Sequence, residues 1–103
     1  MPKGEYILCS AVWYDDGKVH HHQPLNIETG VVVCGFRHHN CLGTAHALGR
    51  PDGVPPSGTK QGFLTSENRF VNRSDARIIA NASGQLEGRK VHSKHGLFSE
   101  DLW

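Results

Sequence analysis

The chain has 103 residues, of which 37% are hydrophobic and 20% are charged, a composition typical of one small globular domain rather than a disordered chain. Its formal net charge of +1 argues against the broad basic surface that nonspecific nucleic-acid binding requires, so nucleic acid is not an expected partner. Twelve glycines and five prolines indicate many turns and a thin core, which makes a homo-oligomer a reasonable expectation.

The first residues, MPKGEYIL, lack a charged leader followed by a long apolar stretch, and no apolar run approaches membrane-spanning length. We therefore expect a soluble, cytoplasmic protein without a membrane partner. Cys9, Cys34 and Cys41 form no C-x-x-C pair, and each lies among apolar residues. We expect them to be buried free thiols in a reducing compartment.

The N-terminal third predicts three β-strands. Tyr6–Tyr14 is rich in β-branched and aromatic residues and runs into the turn sequence DDGK. This pattern predicts a hairpin whose return strand is Val19–Gln23, which ends before Pro24. The next predicted strand is Thr29–Phe36, because it contains three consecutive valines.

A short helix is predicted from His39, because apolar residues then recur at helical spacing and Gly49 supplies a stop. The recurring apolar residues are Cys41, Leu42, Ala45 and Leu48. Residues 49–60, GRPDGVPPSGTK, predict an exposed loop that is either a lid or a tolerated insertion.

A second hairpin is predicted from Gln61–Thr65 and Arg69–Val71, which flank a short polar turn. Asn72 is a good helix N-cap, and the helix that it opens should end near Gly84. Residues 84–96 are polar and irregular, and the hydrophobic segment Leu97–Trp103 is either an edge strand or a docked tail. Together the patterns predict an α+β fold, a small antiparallel sheet with two short helices, in which residues 1–103 form a single ligand-binding domain.

The segment QGFLTSENRFVNRSD is the predicted centre of the functional site. Arg69 and Arg73 flank a junction between a strand and a helix, and Arg77 follows Arg73 on the same helical face. Guanidinium groups and the free N–H groups of a helix start both favour phosphate. Phe63 and Phe70 could stack on a base, although both could equally be core residues. The arginines could equally pair with nearby carboxylates.

The segment Arg37–Asn40 follows a strand and opens a helix, so a second anion contact is expected there. A metal site and a histidine acid–base pair are alternatives. Because the consecutive histidines at 20–22 point to alternate faces of a strand and no paired ligand spacing occurs, no metal or cofactor is predicted. No catalytic motif is present either, so no catalytic residue is predicted.

Four blocks of the chain resemble the first type of Thoeris anti-defence sponge, a family of small phage proteins: AVWYDDGKVH, GFRHHNC, QGFLTSENRFVNRSDA and LFSEDLW. The resemblance implies a non-enzymatic sponge that sequesters a cyclic ADP-ribose-type signal in the cytoplasm of the infected host and so blocks TIR-dependent antiphage immunity. It also implies homo-oligomers and, in some members, separate sites for cyclic oligonucleotides. The histidine segment HHHQPLN fits no role in that family.

Carried onto this chain, the resemblance implies base stacking by Phe63 or Phe70, phosphate or ribose contacts by Arg69, Asn72 and Arg73, and a polar contact by Arg37 and its neighbours. The expected ligand-binding set is Arg37, His38, His39, Phe63, Thr65, Arg69, Phe70, Asn72 and Arg73. The alternative function is a small nucleotide hydrolase or transferase with His38 or His39 as the acid–base group.

Overall fold

The structure is a computed structural model that describes residues 4–49, 58–88 and 96–103. Four strands form one antiparallel sheet with the strand order β2-β1-β3-β4, and two α-helices accompany it. In chain order the elements are β1 Ile7–Tyr14, β2 Val31–Gly35, α1 His38–Ala47, β3 Thr59–Thr65, β4 Phe70–Val71, α2 Arg73–Ala82 and a 3-10 turn Ser99–Asp101. The predicted α+β class, with a small antiparallel sheet and two short helices, is confirmed.

The predicted first hairpin is wrong in its return strand. The turn itself forms, because the carboxylates of Asp15 and Asp16 accept the backbone N–H groups of Gly17 and Lys18. Residues 19–23 are not a strand, however, and β1 pairs with β2 from Ser10 opposite Gly35 onward. Residues 15–30 therefore form one long connection between the two strands.

Three side-chain amides make the backbone hydrogen bonds that a neighbouring strand would otherwise make. Asn26 accepts the Phe70 N–H at 2.8 Å and donates to the Phe70 carbonyl at 2.6 Å. Gln85 pairs with Ile7 in the same way, at 2.8 Å in both directions. Gln23 accepts the Val32 N–H at 2.8 Å. The long connection is thereby fixed at both edges of the sheet.

Helix α1 begins after Arg37, whose backbone N–H donates to the Asn40 side chain at 3.0 Å. It ends where Gly49 adopts a φ of 75°, as the sequence predicted. Only part of its predicted apolar stripe is buried: Cys41 and Ala45 pack on Val12, Tyr14 and Val33, whereas Leu42 and Leu48 are exposed.

Helix α2 starts where it was predicted, because the Asn72 side chain accepts the Asp75 N–H at 2.7 Å. Its buried face is narrow, and Ala76 and Ala80 are its fully buried residues. Small side chains let the helix approach the sheet closely. The predicted hairpin before α2 is also confirmed, since Phe63 pairs with Val71 and Leu64 pairs with Phe70.

Both helices cover the same face of the sheet. Residues opposite each other on antiparallel strands share a face, so the face of Phe63, Ser10 and Val12 is the helix-covered one. On the other face, Phe70 meets Trp13 edge-on with ring centroids 5.9 Å apart. The two predicted stacking residues, Phe63 and Phe70, thus lie on opposite faces.

The last segment docks as a tail rather than pairing as an edge strand. Leu97 and Leu102 are buried in the same cluster as Phe63, and the backbone N–H of Leu97 donates to the Arg73 carbonyl at 2.9 Å. The predicted loop 49–60 and the irregular stretch 84–96 fall largely outside the described residues. Among the residues that are described, no helix has the length and apolar character needed to cross a membrane.

Candidate functional site

A group of polar side chains meets the docked tail at the start of both helices. We call it the tail site and define it as Arg37, His38, Gln61 and Arg73 together with Leu97–Trp103. Strand β2 leads directly into Arg37, and the Asn72 cap leads directly into Arg73. The caps of two helices therefore bring residues 36 positions apart in the sequence to one place.

Arg73 is the central cation of the tail site. Its guanidinium donates to the Leu97 carbonyl at 2.9 Å and to the Gln61 side chain at 2.7 Å. The same group lies 4.3 Å from the centre of the Phe98 ring, within cation–π range. Burial lowers the pKa of Arg73 from its ordinary value, while Glu100 and Asp101 oppose that shift. The group remains a cation at neutral pH, because an arginine pKa is far above it.

Arg37 reaches the tail from the other side. A terminal guanidinium nitrogen donates to the Trp103 carbonyl, and the group lies 5.9 Å from the Phe36 ring centre. Its Nε is buried and has no hydrogen-bond partner in the described structure. A buried donor without a partner costs about 1–3 kcal/mol, so Arg37 keeps an unused capacity to bind an acceptor.

His38 is a buried member of the site, whereas His39 is exposed. Nε2 of His38 lies 2.7 Å from the Gly62 carbonyl, which can only accept, so this nitrogen carries a proton. The ring meets Phe63 edge-on with centroids 5.0 Å apart. Burial and then the charge of Arg73 lower the pKa of His38, against the Gly62 carbonyl and Glu100. His38 is therefore a neutral donor near neutral pH.

The other half of the predicted site lies elsewhere. Arg69 donates twice to the carboxylate of Glu5, at 2.8 and 2.7 Å, and this pairing lowers the pKa of Glu5. Thr65 is fully buried and donates to the same carboxylate at 2.6 Å. Since Thr65 and Gln61 are four residues apart on β3, Arg69 and Arg73 bind partners roughly 13 Å apart. The two guanidinium groups do not converge.

The stacking role expected for Phe63 is corrected by its burial, because its side chain is 0% exposed and belongs to the core. Phe70 is 8% exposed and covered by Trp13. The side-chain oxygen of Asn72 accepts the Asp75 N–H of the helix cap and is therefore already engaged. Of the nine expected residues, the structure brings together Arg37, His38, Phe63 and Arg73. The buried ring of Phe63 packs edge-on against His38.

Aromatic residues in and beside the tail site were not predicted from the sequence. Phe36 is 61% exposed, and its ring centre is 5.8 Å from that of Trp103. Phe98 lies under Arg73. The hydrophobic residues of LFSEDLW indicated that the tail packs on the domain, but their spacing in the sequence could not show which residues it contacts.

A separate cavity of about 320 Å³ lies beside α2 and is lined by Arg69, Asp75, Ile78 and Ile79. Arg69 in this cavity is already paired with Glu5, and Ile78 is 67% exposed. No group of three or more histidine, cysteine or acidic side chains that could hold a metal occurs in the described part of the chain. The tail site is therefore the better candidate.

The fold and this site define a small α+β protein whose two helix starts hold arginines against a docked, aromatic-rich tail. The chain belongs to the Phage T4 y16D protein family, a family of phage proteins, whose sequence model matches residues 6–103. No curated protein and no solved structure matches the chain.

Proposed function

We propose that this phage protein is a non-enzymatic sponge that binds a cyclic ADP-ribose-type signalling nucleotide at the tail site and thereby blocks TIR-dependent antiphage immunity. The proposal rests on membership of a phage family together with the resemblance of four blocks to Thoeris anti-defence sponges. It includes a homo-oligomer in the cytoplasm of the infected host, as that resemblance implies. Cyclic oligonucleotides are a further ligand class that it implies.

One observation carries the proposal: the two guanidinium groups of the tail site, Arg37 and Arg73, donate to backbone carbonyls of the tail. A neutral carbonyl is a weaker acceptor for a guanidinium than a phosphate oxygen. A ligand carrying two phosphates could therefore replace carbonyl contacts with charged ones and also satisfy the buried Nε of Arg37.

The aromatic side chains around these arginines suit the ring of a nucleotide base. Phe36 is largely exposed, and Trp103 and Phe98 are partly exposed. These three, rather than Phe63 and Phe70, are the side chains that we expect to stack on a base. His38 and Gln61 add neutral hydrogen-bonding groups for the ribose hydroxyls.

The state of His38 argues against its use as a general acid through Nε2. Its Nε2 proton already bonds the Gly62 carbonyl, and its lowered pKa keeps it neutral. A general acid must present a transferable proton to the substrate. A hydrolase or transferase that uses the Nε2 proton of His38 for general-acid catalysis would first have to break that contact.

Replacing Arg73 tests the proposal directly. Arg73→Ala should weaken binding of cyclic ADP-ribose isomers about tenfold or more, because a charged hydrogen bond contributes about 1.5–3 kcal/mol. Isothermal titration calorimetry measures the affinity, and circular dichroism checks that the variant is folded. Arg73→Lys should lose part of the affinity, since lysine lacks the planar fork.

The matched control is Lys60→Ala, which removes one positive charge from the exposed side of β3, next to Gln61 but on the opposite face. It should leave the affinity unchanged. A folded Arg73→Ala protein that binds every isomer as tightly as the wild type would exclude the tail site.

A further inference from the structure

Two of the three cysteines lie side by side on the sheet face opposite the helices. Cys34 of β2 is directly opposite Ala11 of β1, and Cys9 lies two residues before Ala11, so the two thiols share a face. The described residues place both helices on the other face, where Cys41 is buried. The expectation of three buried thiols is thus wrong for Cys34, which is exposed, and for Cys9, which is half-buried.

The register keeps the two thiols close without favouring a disulfide between them. Cys9 and Cys34 are diagonal neighbours, and such residues have Cα atoms about 7–8 Å apart in an antiparallel sheet. An unstrained disulfide requires a Cα separation of about 4.4–6.8 Å. Both cysteines are free thiols in this structure.

Exposure and charge state make the two neighbouring thiols chemically unequal. Cys34 is exposed, whereas Cys9 is half-buried. The Cys9 thiol beside it lowers the pKa of Cys34 to about 7, although burial opposes the shift. The neighbouring Cys34 and burial raise the pKa of Cys9. A thiolate is the reactive form of cysteine, so the exposed Cys34 is the nucleophile of the pair and Cys9 keeps its proton.

Cys41 shows the contrast within the same chain. It is fully buried, donates to the Arg37 carbonyl at 3.4 Å, and burial raises its pKa to about 11. It therefore lacks both the exposure and the charge state that reaction requires.

We propose that Cys34 is a modification site that reacts with low-molecular-weight disulfides and retains half of the reagent as a mixed disulfide. The Cys34 sulfur attacks one sulfur of the reagent, a new S–S bond forms, and the S–S bond of the reagent breaks. The other half leaves as a thiolate and takes a proton from water. Cys9 remains a thiol throughout, since its diagonal position disfavours attack on the new bond.

Oxidised glutathione is a suitable probe for the intact protein. Intact-mass measurement should show a single glutathione adduct, and peptide mapping of the wild-type protein should locate it on Cys34. An unmodified protein would overturn the proposal. So would a loss of two hydrogens through a Cys9–Cys34 disulfide, or an adduct on Cys9 or Cys41.

Three variants separate the roles of the cysteines, with circular dichroism as the check on folding. Cys34→Ser should abolish the adduct. Cys9→Ala should slow its formation about three- to tenfold at neutral pH, because the thiolate fraction of Cys34 falls while its nucleophilicity rises. Cys41→Ala should react at the wild-type rate. An unchanged rate in Cys9→Ala would remove Cys9 from the proposed site.

Discussion

His38 illustrates how the surroundings of one side chain decide its chemistry. The ring is buried between Phe63 and the Gly62 carbonyl, with the cation of Arg73 nearby. Burial and the charge of Arg73 favour the neutral form of the ring, whereas the Gly62 carbonyl and Glu100 favour the protonated form. The unfolded chain has no such neighbours, so folding and the protonation of His38 are linked.

The linkage predicts a loss of stability on acidification. The pKa of His38 is below its ordinary value of 6.5 in the folded state, so between those two pKa values the unfolded state binds the proton and the folded state does not. The stability that neutral His38 contributes is therefore complete at a pH above its pKa in the unfolded chain. It is lost as the pH falls toward its pKa in the folded protein. Urea unfolding near neutral pH and at about pH 5 measures the effect.

His38→Gln should show a smaller loss between the two conditions, because glutamine can donate to the Gly62 carbonyl but does not titrate. His39→Gln is the matched control, since His39 is the exposed neighbour and should behave like the wild type. Equal pH dependence of the wild type and His38→Gln would contradict the linkage.

At the scale of elements, local signals predicted α2 and the hairpin before it, because the Asn72 cap and the polar turn act within a few residues. The prediction of a strand at Val19–Gln23 was wrong because the segment is shaped by a contact with another element. The Gln23 side chain accepts the Val32 N–H of β2, and His22 adopts a φ of 62°, which a strand does not allow. The positions of Phe63 and Phe70 on opposite faces follow from strand register, which the sequence did not reveal.

The residues of the candidate site were predicted only in part for the same reason. The pairing of Arg69 with Glu5 joins residues 64 positions apart, and the contact of Arg37 with Trp103 joins residues 66 positions apart. The segment QGFLTSENRFVNRSD is short, and it carries no information about such distant partners. Arg73 is the arginine of this segment that lies in the candidate site. It is the first residue of α2, and this position directs its side chain toward the tail.

Close contact between β3 and β4 predicts a sensitive glycine. A Cβ atom added at Gly62 would lie 2.7 Å from the Phe70 ring and even closer to the Val71 carbonyl oxygen. Gly62→Ala should therefore destabilise the protein by about 1–3 kcal/mol or more, as overpacking does. Urea unfolding measures the change.

Gly43→Ala provides the opposite control, because the new methyl group on α1 would have no neighbour within 4 Å. It should stabilise the protein by about 0.5–1 kcal/mol through helix propensity. A Gly62→Ala protein as stable as the wild type would show that β4 can move away from β3 at little cost.

At the scale of the whole molecule, the proposed sponge and an enzyme differ in what happens to the ligand. A sponge returns it unchanged. Incubation of the protein with a cyclic ADP-ribose isomer, followed by heat denaturation and chromatography, should recover the starting compound in full. Recovery of a cleaved or transferred product would replace sequestration with catalysis, and a protein-free incubation controls for spontaneous decay.

The amide pairs at the edges of the sheet have a consequence for assembly. Asn26 occupies the outer backbone groups of Phe70, and Gln23 occupies one on β2, so a second chain cannot add a strand there without displacing them. Growth of the sheet by β-augmentation, the usual path from a small antiparallel sheet to fibrils, is thereby hindered at both borders. Any contact between copies of this protein is therefore expected to form through side-chain surfaces rather than through an added strand.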